Sequence, residues 1–148
     1  AEYFGWVLAV TSIGSLIGAL ATARLHMTTY TWVASAALML GVANVGMAIA
    51  PNVWVAYVWA IPLGAGGAAM IAGANTIIAQ EAPPDMRGRM LALTAVAFLG
   101  STPIGGPITG WVADYVSVSW SLAYGGIITL IAAVFMFVWI WVKDIEHA

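Results

Sequence analysis

Five stretches of this chain, residues 3–23, 31–50, 53–80, 90–113 and 120–142, are almost purely apolar, and every Asp, Glu, Lys and Arg falls outside them. About 20 helical residues cross the roughly 30 Å hydrocarbon core of a bilayer, and each stretch reaches that length. An ionised side chain at mid-bilayer costs about 2.5 to 3.5 kcal/mol even on lenient insertion scales, so the partition of charge is what a membrane imposes. Barrel strands are half as long and alternate with period two, a pattern that is missing here. Only helices satisfy their own backbone over such runs. The sequence therefore predicts an all-α integral membrane protein of five transmembrane helices, forming one bundle over residues 1–148. Charged residues make up only 7% of it, against about 25% in soluble domains.

Several function classes drop out on the same grounds. With no cysteine, disulfides, thiolate metal sites and thiol nucleophiles are excluded. His26 and His147 have no second ligand at metal spacing, so no metal is expected. No nucleophile and base stand at useful spacing, no phosphate-binding Gly-Lys motif occurs, and no basic surface suits nucleic acid. We expect no enzyme and no cofactor. The chain begins Ala1-Glu2 with no initiating Met and no basic leader before the first apolar run. That start reads as a cut end, and the chain as a fragment of a longer one.

Orientation follows from the loops. With five crossings, Arg24, Arg87, Arg89 and Lys143 all fall on one face, and the other face shows only Glu2 and Asp114. Positive charge marks the cytoplasmic side, which puts the N-terminus outside and the C-terminus inside. Trp6, Trp54, Trp111, Tyr115 and Trp120 near one set of ends, and Tyr30, Trp32, Trp139 and Trp141 near the other, match the aromatic belts of the two interfaces. Pro51-Asn52 and residues 114–119 are expected to be tight turns between antiparallel neighbours.

Small and helix-breaking residues mark where helices pack or bend. Gly14 and Gly18 form a GxxxG step, a flat face that lets two helix backbones approach closely. The third run carries Pro62, which removes a backbone donor and frees the carbonyl of Val58, and then Gly66 and Gly73 among other small residues. The fourth carries Thr102, Pro103, Gly106, Pro107 and Gly110, with two prolines disturbing one hydrogen-bond ladder. Breaks gathered in two helices suit a substrate pathway or gate, with Asn75 as a polar group inside the membrane. Arg24, Glu81, Asp85, Arg87 and Arg89 form the cytoplasmic loop set, as topology anchors or as a charged gate.

These residues resemble the major facilitator superfamily of secondary transporters. Pro84-Asp85-Met86-Arg87-Gly88-Arg89-Met90 is similar to the proline-led R-G-R loop of its drug and siderophore exporters, between the tenth and eleventh helices. Gly106-Pro107-Ile108-Thr109-Gly110 resembles the G-P-x-x-G core of the antiporter motif. Gly18-Ala19-Leu20-Ala21 followed by Arg24 resembles the start of the family's loop motif, but Thr22 and Ala23 replace its Asp and Arg. The resemblance implies helices 8 to 12 of a twelve-helix transporter, the C-terminal half of an exporter of hydrophobic or amphiphilic small molecules in the bacterial cytoplasmic membrane. Five helices cannot alternate access alone, so it also implies a missing N-terminal half or another membrane chain as partner, besides lipid and substrate. The contrasting expectation is a non-transporting accessory subunit that docks on a larger complex through Gly14, Gly18, Gly66 and Gly73.

Overall fold

The computed structural model describes residues 2–25 and 27–146. They form five α-helices: α1 Glu2–Ala23, α2 Tyr30–Ala48, α3 Val53–Glu81, α4 Arg87–Tyr115 and α5 Val118–Glu146. No strand occurs among the described residues. All five helices are long and apolar enough to cross a membrane. α4 and α5 run past their apolar stretches, because Arg, Lys and Glu are good helix formers and a helix needs no lipid to satisfy its backbone. At 29 residues each, α3, α4 and α5 are about 44 Å long. They must tilt, or project beyond a core of roughly 30 Å.

The turns have local causes. Asn52 caps α3, its side chain accepting from Val55 N at 3.0 Å, and Thr29 caps α2 through Trp32 N at 3.3 Å. Such caps satisfy donors that the first helical turn leaves unpaired. Ala82 N still donates to Ile78 O, and the pair Pro83-Pro84 then ends α3. Pro83 O accepts from both Met86 N and Arg87 N at 2.9 Å, winding the chain directly into α4. The connection from α4 to α5 is tighter than residues 114–119: only Val116 and Ser117 separate the helices, and Ser117 Oγ accepts from Trp120 N at 3.2 Å.

α3 is the central post. α1 packs along it on one side and α2 on another, α5 packs on α2, and α4 touches α3 and α5 only sparsely. Apart from Val33 and Ile77, the buried residues of α2 and α3 are small: Ala34, Ala36, Ala37, Gly41, Ala43 and Gly46 on α2, and Ala60, Gly64, Ala65, Gly66, Ala69 and Gly73 on α3. Large apolar side chains point outward, Trp54 with 78% of its surface exposed and Phe135 with 73%. In water this arrangement would be inverted, but lipid is as apolar as leucine. Close backbone approach holds membrane helices together there.

The approach is closest between α1 and α3. A Cβ added at Gly14 would lie 2.1 Å from Ile61 O, one at Gly18 would lie 2.1 Å from Ala65 O, and one at Gly64 would lie 2.0 Å from Thr11 O. Hydroxyls inside the spans mostly bond back to their own helix, as Thr11, Ser15, Thr76 and Thr129 do to the carbonyl four residues earlier. Cross-helix polar bonds sit nearer the ends. Trp32 Nε1 donates to Thr22 Oγ1 at 3.1 Å, Tyr30 Oη to Glu81 Oε2 at 2.6 Å, and Ser121 Oγ to Thr109 O at 3.1 Å.

The first two of these bonds, with Trp139 edge-on to Tyr30 at 6.0 Å, gather the end of α1, the start of α2, the end of α3 and the end of α5 at one end of the bundle. Arg24 follows the end of α1 and Lys143 lies in the last turn of α5, while Arg87 and Arg89 open α4, which the short turn at Pro83-Pro84 joins to the end of α3. Lys143 Nζ lies 5.3 Å from the centre of the Trp139 ring, a cation–π contact.

Candidate functional site

The sparse contact between α3 and α4 leaves an open seam, and Asn75 lies along it. A groove of about 460 Å³ is lined by Ile71 and Asn75 of α3 and by Leu91, Thr94, Ala95, Phe98 and Leu99 of α4. The α4 positions recur three and four residues apart, so they form one face of that helix. By the same spacing, positions 102 and 106 continue the row.

Asn75 carries the polarity of the groove. Its amide has two donors and two acceptor lone pairs, and it makes no hydrogen bond among the described residues. Thr94, the other polar residue there, has its hydroxyl satisfied by Met90 O at 2.9 Å. Asn44 differs from Asn75 in the same way, since its amide donates to Leu40 O at 3.1 Å within α2. An unpaired amide facing an apolar groove at membrane depth gains most from a ligand that bonds it.

The other expected pathway residues distribute differently. Gly66 and Gly73 face α2: a Cβ at Gly66 would meet Leu40 N at 2.7 Å, and one at Gly73 would meet Val33 Cγ2 at 2.9 Å. Pro62 is half-buried inside a continuous α3, one residue from the Ile61 carbonyl that Gly14 approaches. Pro103, Gly106, Pro107 and Gly110 are exposed on α4, which stays helical through both prolines. Around Gly106 and Gly110 an added Cβ would meet nothing within 4 Å. Among the described residues, none of the apolar core of α4 is buried. The side chain of Thr102 lies outside the described ones, and so do His26 and His147. Gly14 and Gly18 face α3, as given above.

In the charged loop set, Arg24, Glu81, Asp85, Arg87 and Arg89 are all exposed. The hydrogen-bond partner of Glu81 is the Tyr30 hydroxyl. Sequence reasoning did not single out Tyr30 as a site residue, nor Ile71, Leu91, Ala95, Phe98 or Leu99. The spacing of 91, 95 and 98 carried the α4 row in advance. Nothing local announced Tyr30, which meets Glu81 across 51 positions of chain. Among the described residues no group of three His, Cys, Asp or Glu side chains could hold a metal ion.

Neither a curated protein nor a solved structure gives a match to this chain. A family model does match, over residues 1–148, and its description is Major Facilitator Superfamily.

Proposed function

The chain belongs to the major facilitator superfamily, and from that premise we propose that it is the C-terminal part of an exporter of hydrophobic or amphiphilic small molecules, with the α3–α4 seam on the substrate pathway. The superfamily consists of membrane transporters, not enzymes. The observation that carries the finer reading is the groove at Asn75: one unpaired amide in an apolar slot of about 460 Å³, beside a helix whose own face is uncovered. Apolar walls with a few placed polar groups are what small-molecule sites present. The five helices correspond to helices 8 to 12 of twelve. They work with a second bundle supplied by the same gene product or by another chain, in the bacterial cytoplasmic membrane.

The internal packing supports this over a purely structural subunit. Gly14, Gly18, Gly66 and Gly73, the residues such a subunit would offer to a partner, are each engaged within the chain. Reconstituting the intact gene product in proteoliposomes tests the proposal. Efflux of a hydrophobic dye is expected, with Asn75→Leu lowering its rate by about tenfold, the effect of losing one hydrogen bond to the moving substrate. Absence of transport for every hydrophobic cation, antibiotic and siderophore tried would overturn it.

The orientation proposed is N-terminus outside and C-terminus cytoplasmic. The chain has no cysteine, so a single one can report on sidedness. Gly88 stands in open space, and Gly88→Cys is expected to react with a membrane-impermeant maleimide only after the cells are permeabilised. Labelling of intact cells would reverse the topology.

A further inference from the structure

The seam does not end at Asn75. About one helical turn further along α3 it opens into a second cavity of about 430 Å³, at the end of the bundle that carries Arg24 and Lys143. Its walls are apolar, from Ile77, Ile78, Ala82 and Pro83 on the α3 side and Met86 and Met90 at the start of α4. Two residues with polar groups also line it, Tyr30 and Glu81. Tyr30 Oη holds Glu81 Oε2 at 2.6 Å, which fixes the carboxylate against the wall. The other oxygen, Oε1, takes no hydrogen bond among the described residues. Arg87 and Arg89 adjoin the two methionines in sequence, but they do not line the cavity.

What could occupy it is narrowed by chemistry. An anion is repelled by Glu81, and a neutral apolar molecule would strip water from the carboxylate without replacing it. A hard metal ion needs several oxygen ligands, and one carboxylate with one phenol does not provide them. An organic cation meets the remaining conditions: the carboxylate balances its charge, the Tyr30 ring offers a π face, and the methionines adapt to varied apolar shapes. The volume is within the range of small-ligand pockets.

We infer that the cavity formed by Tyr30, Ile77, Ile78, Glu81, Met86 and Met90 is a binding site for the ammonium group of an amphiphilic cation, lying in series with the Asn75 groove along the same seam. It rests on the proposed function only in treating that seam as a route, because binding itself requires no transport. The ammonium could belong to a soluble amphiphile or to a lipid headgroup.

The test uses the intact gene product, purified in dodecyl maltoside, with two probes of equal shape: benzyltrimethylammonium and its uncharged carbon isostere, neopentylbenzene. Wild type is expected to bind the cation at least about tenfold more tightly than neopentylbenzene, with Glu81→Gln weakening the cation about tenfold and not weakening neopentylbenzene. Tyr30→Phe keeps the carboxylate and is expected to stay within about threefold of wild type. Met90→Trp fills the cavity while Glu81 remains, and is expected to abolish binding of the cation, so the site can be judged even if Glu81→Gln does not fold. Added phosphatidylethanolamine that competes with the cation in wild type, while phosphatidylglycerol does not, identifies a lipid headgroup as occupant. No competition assigns the site to soluble cations. Equal affinity for the cation in wild type, Glu81→Gln and Met90→Trp overturns the site. Loss of efflux with Glu81-dependent binding intact would instead count against the transporter reading alone.

Discussion

Gly64→Ala is expected to prevent α1 from docking on α3 and to destabilise the bundle by about 3 kcal/mol or more, the upper end of overpacking effects. The single methyl would lie 2.0 Å from Thr11 O and 2.9 Å from Ser15 N. Both are backbone atoms, so no side-chain rotation relieves the contact, and the two helices must move apart. Gly14→Ala and Gly18→Ala meet the same obstacle from the other helix, against Ile61 O and Ala65 O. Gly106→Ala and Gly110→Ala supply the control, since an added methyl there meets nothing within 4 Å. Alanine is the better helix former, so these changes are expected to be neutral or stabilising by up to about 1 kcal/mol. Thermal unfolding in detergent measures all five variants side by side. A Gly64→Ala protein that melts like wild type would show that the backbones of α1 and α3 do not meet at Gly64.

Ala95→Trp is expected to stop transport with little change in melting temperature. Ala95 lies on the exposed wall of the groove opposite Ile71 and Asn75, so an indole there has room to enter the space proposed for substrate without pressing on buried structure. A fall in kcat/KM on the order of a hundredfold, about 2.7 kcal/mol of lost transition-state stabilisation, is the expected size. Asn75→Leu removes only the amide and has the smaller effect given above. The pair separates occlusion from recognition. If Ala95→Trp transports normally while Asn75→Leu does not, Asn75 acts through packing and the groove is not the route.

The helices themselves were legible in the sequence, because apolar length and the placement of ten charged residues are one-dimensional signals that a bilayer reads directly. Their ends were less so. Arg87, Gly88 and Arg89 look like loop residues because they are polar, yet hydrogen bonds from Met86 N and Arg87 N to Pro83 O wind them into the first turn of α4. Partner choice was the hidden part. Gly14 and Gly18 announce a flat face but cannot say that it meets Ile61 and Ala65. Gly66 and Gly73, four or more residues beyond Pro62, look like the loosening of a gate. They lie instead against Leu40 and Val33 of α2, since a glycine reads the same in sequence whether it bends a helix or admits a neighbour. The prolines and glycines of α4 are the reverse: they stand in open space, where nothing in the chain requires small residues. Of the candidate site, Asn75 was visible as a lone amide in an apolar run. Tyr30 could not be connected with Glu81 without the fold.

The weak hold on α4 bears on how the protein is made. Ribosomes deliver the helices in chain order, and α3 finds α1 and α2 already in the bilayer, with broad small-residue faces ready for it. α4 emerges next to a core on which it has little surface to settle. α5, although later, has the more extensive seat on α2. Assembly is therefore expected to be out of sequence, with α5 joining first and α4 left at the periphery, held in place mainly by its short tethers at Pro83-Pro84 and Val116-Ser117. A helix with that history would be the one most exposed to membrane quality control, and truncating the gene just before α5 should yield a product that is degraded rather than accumulated.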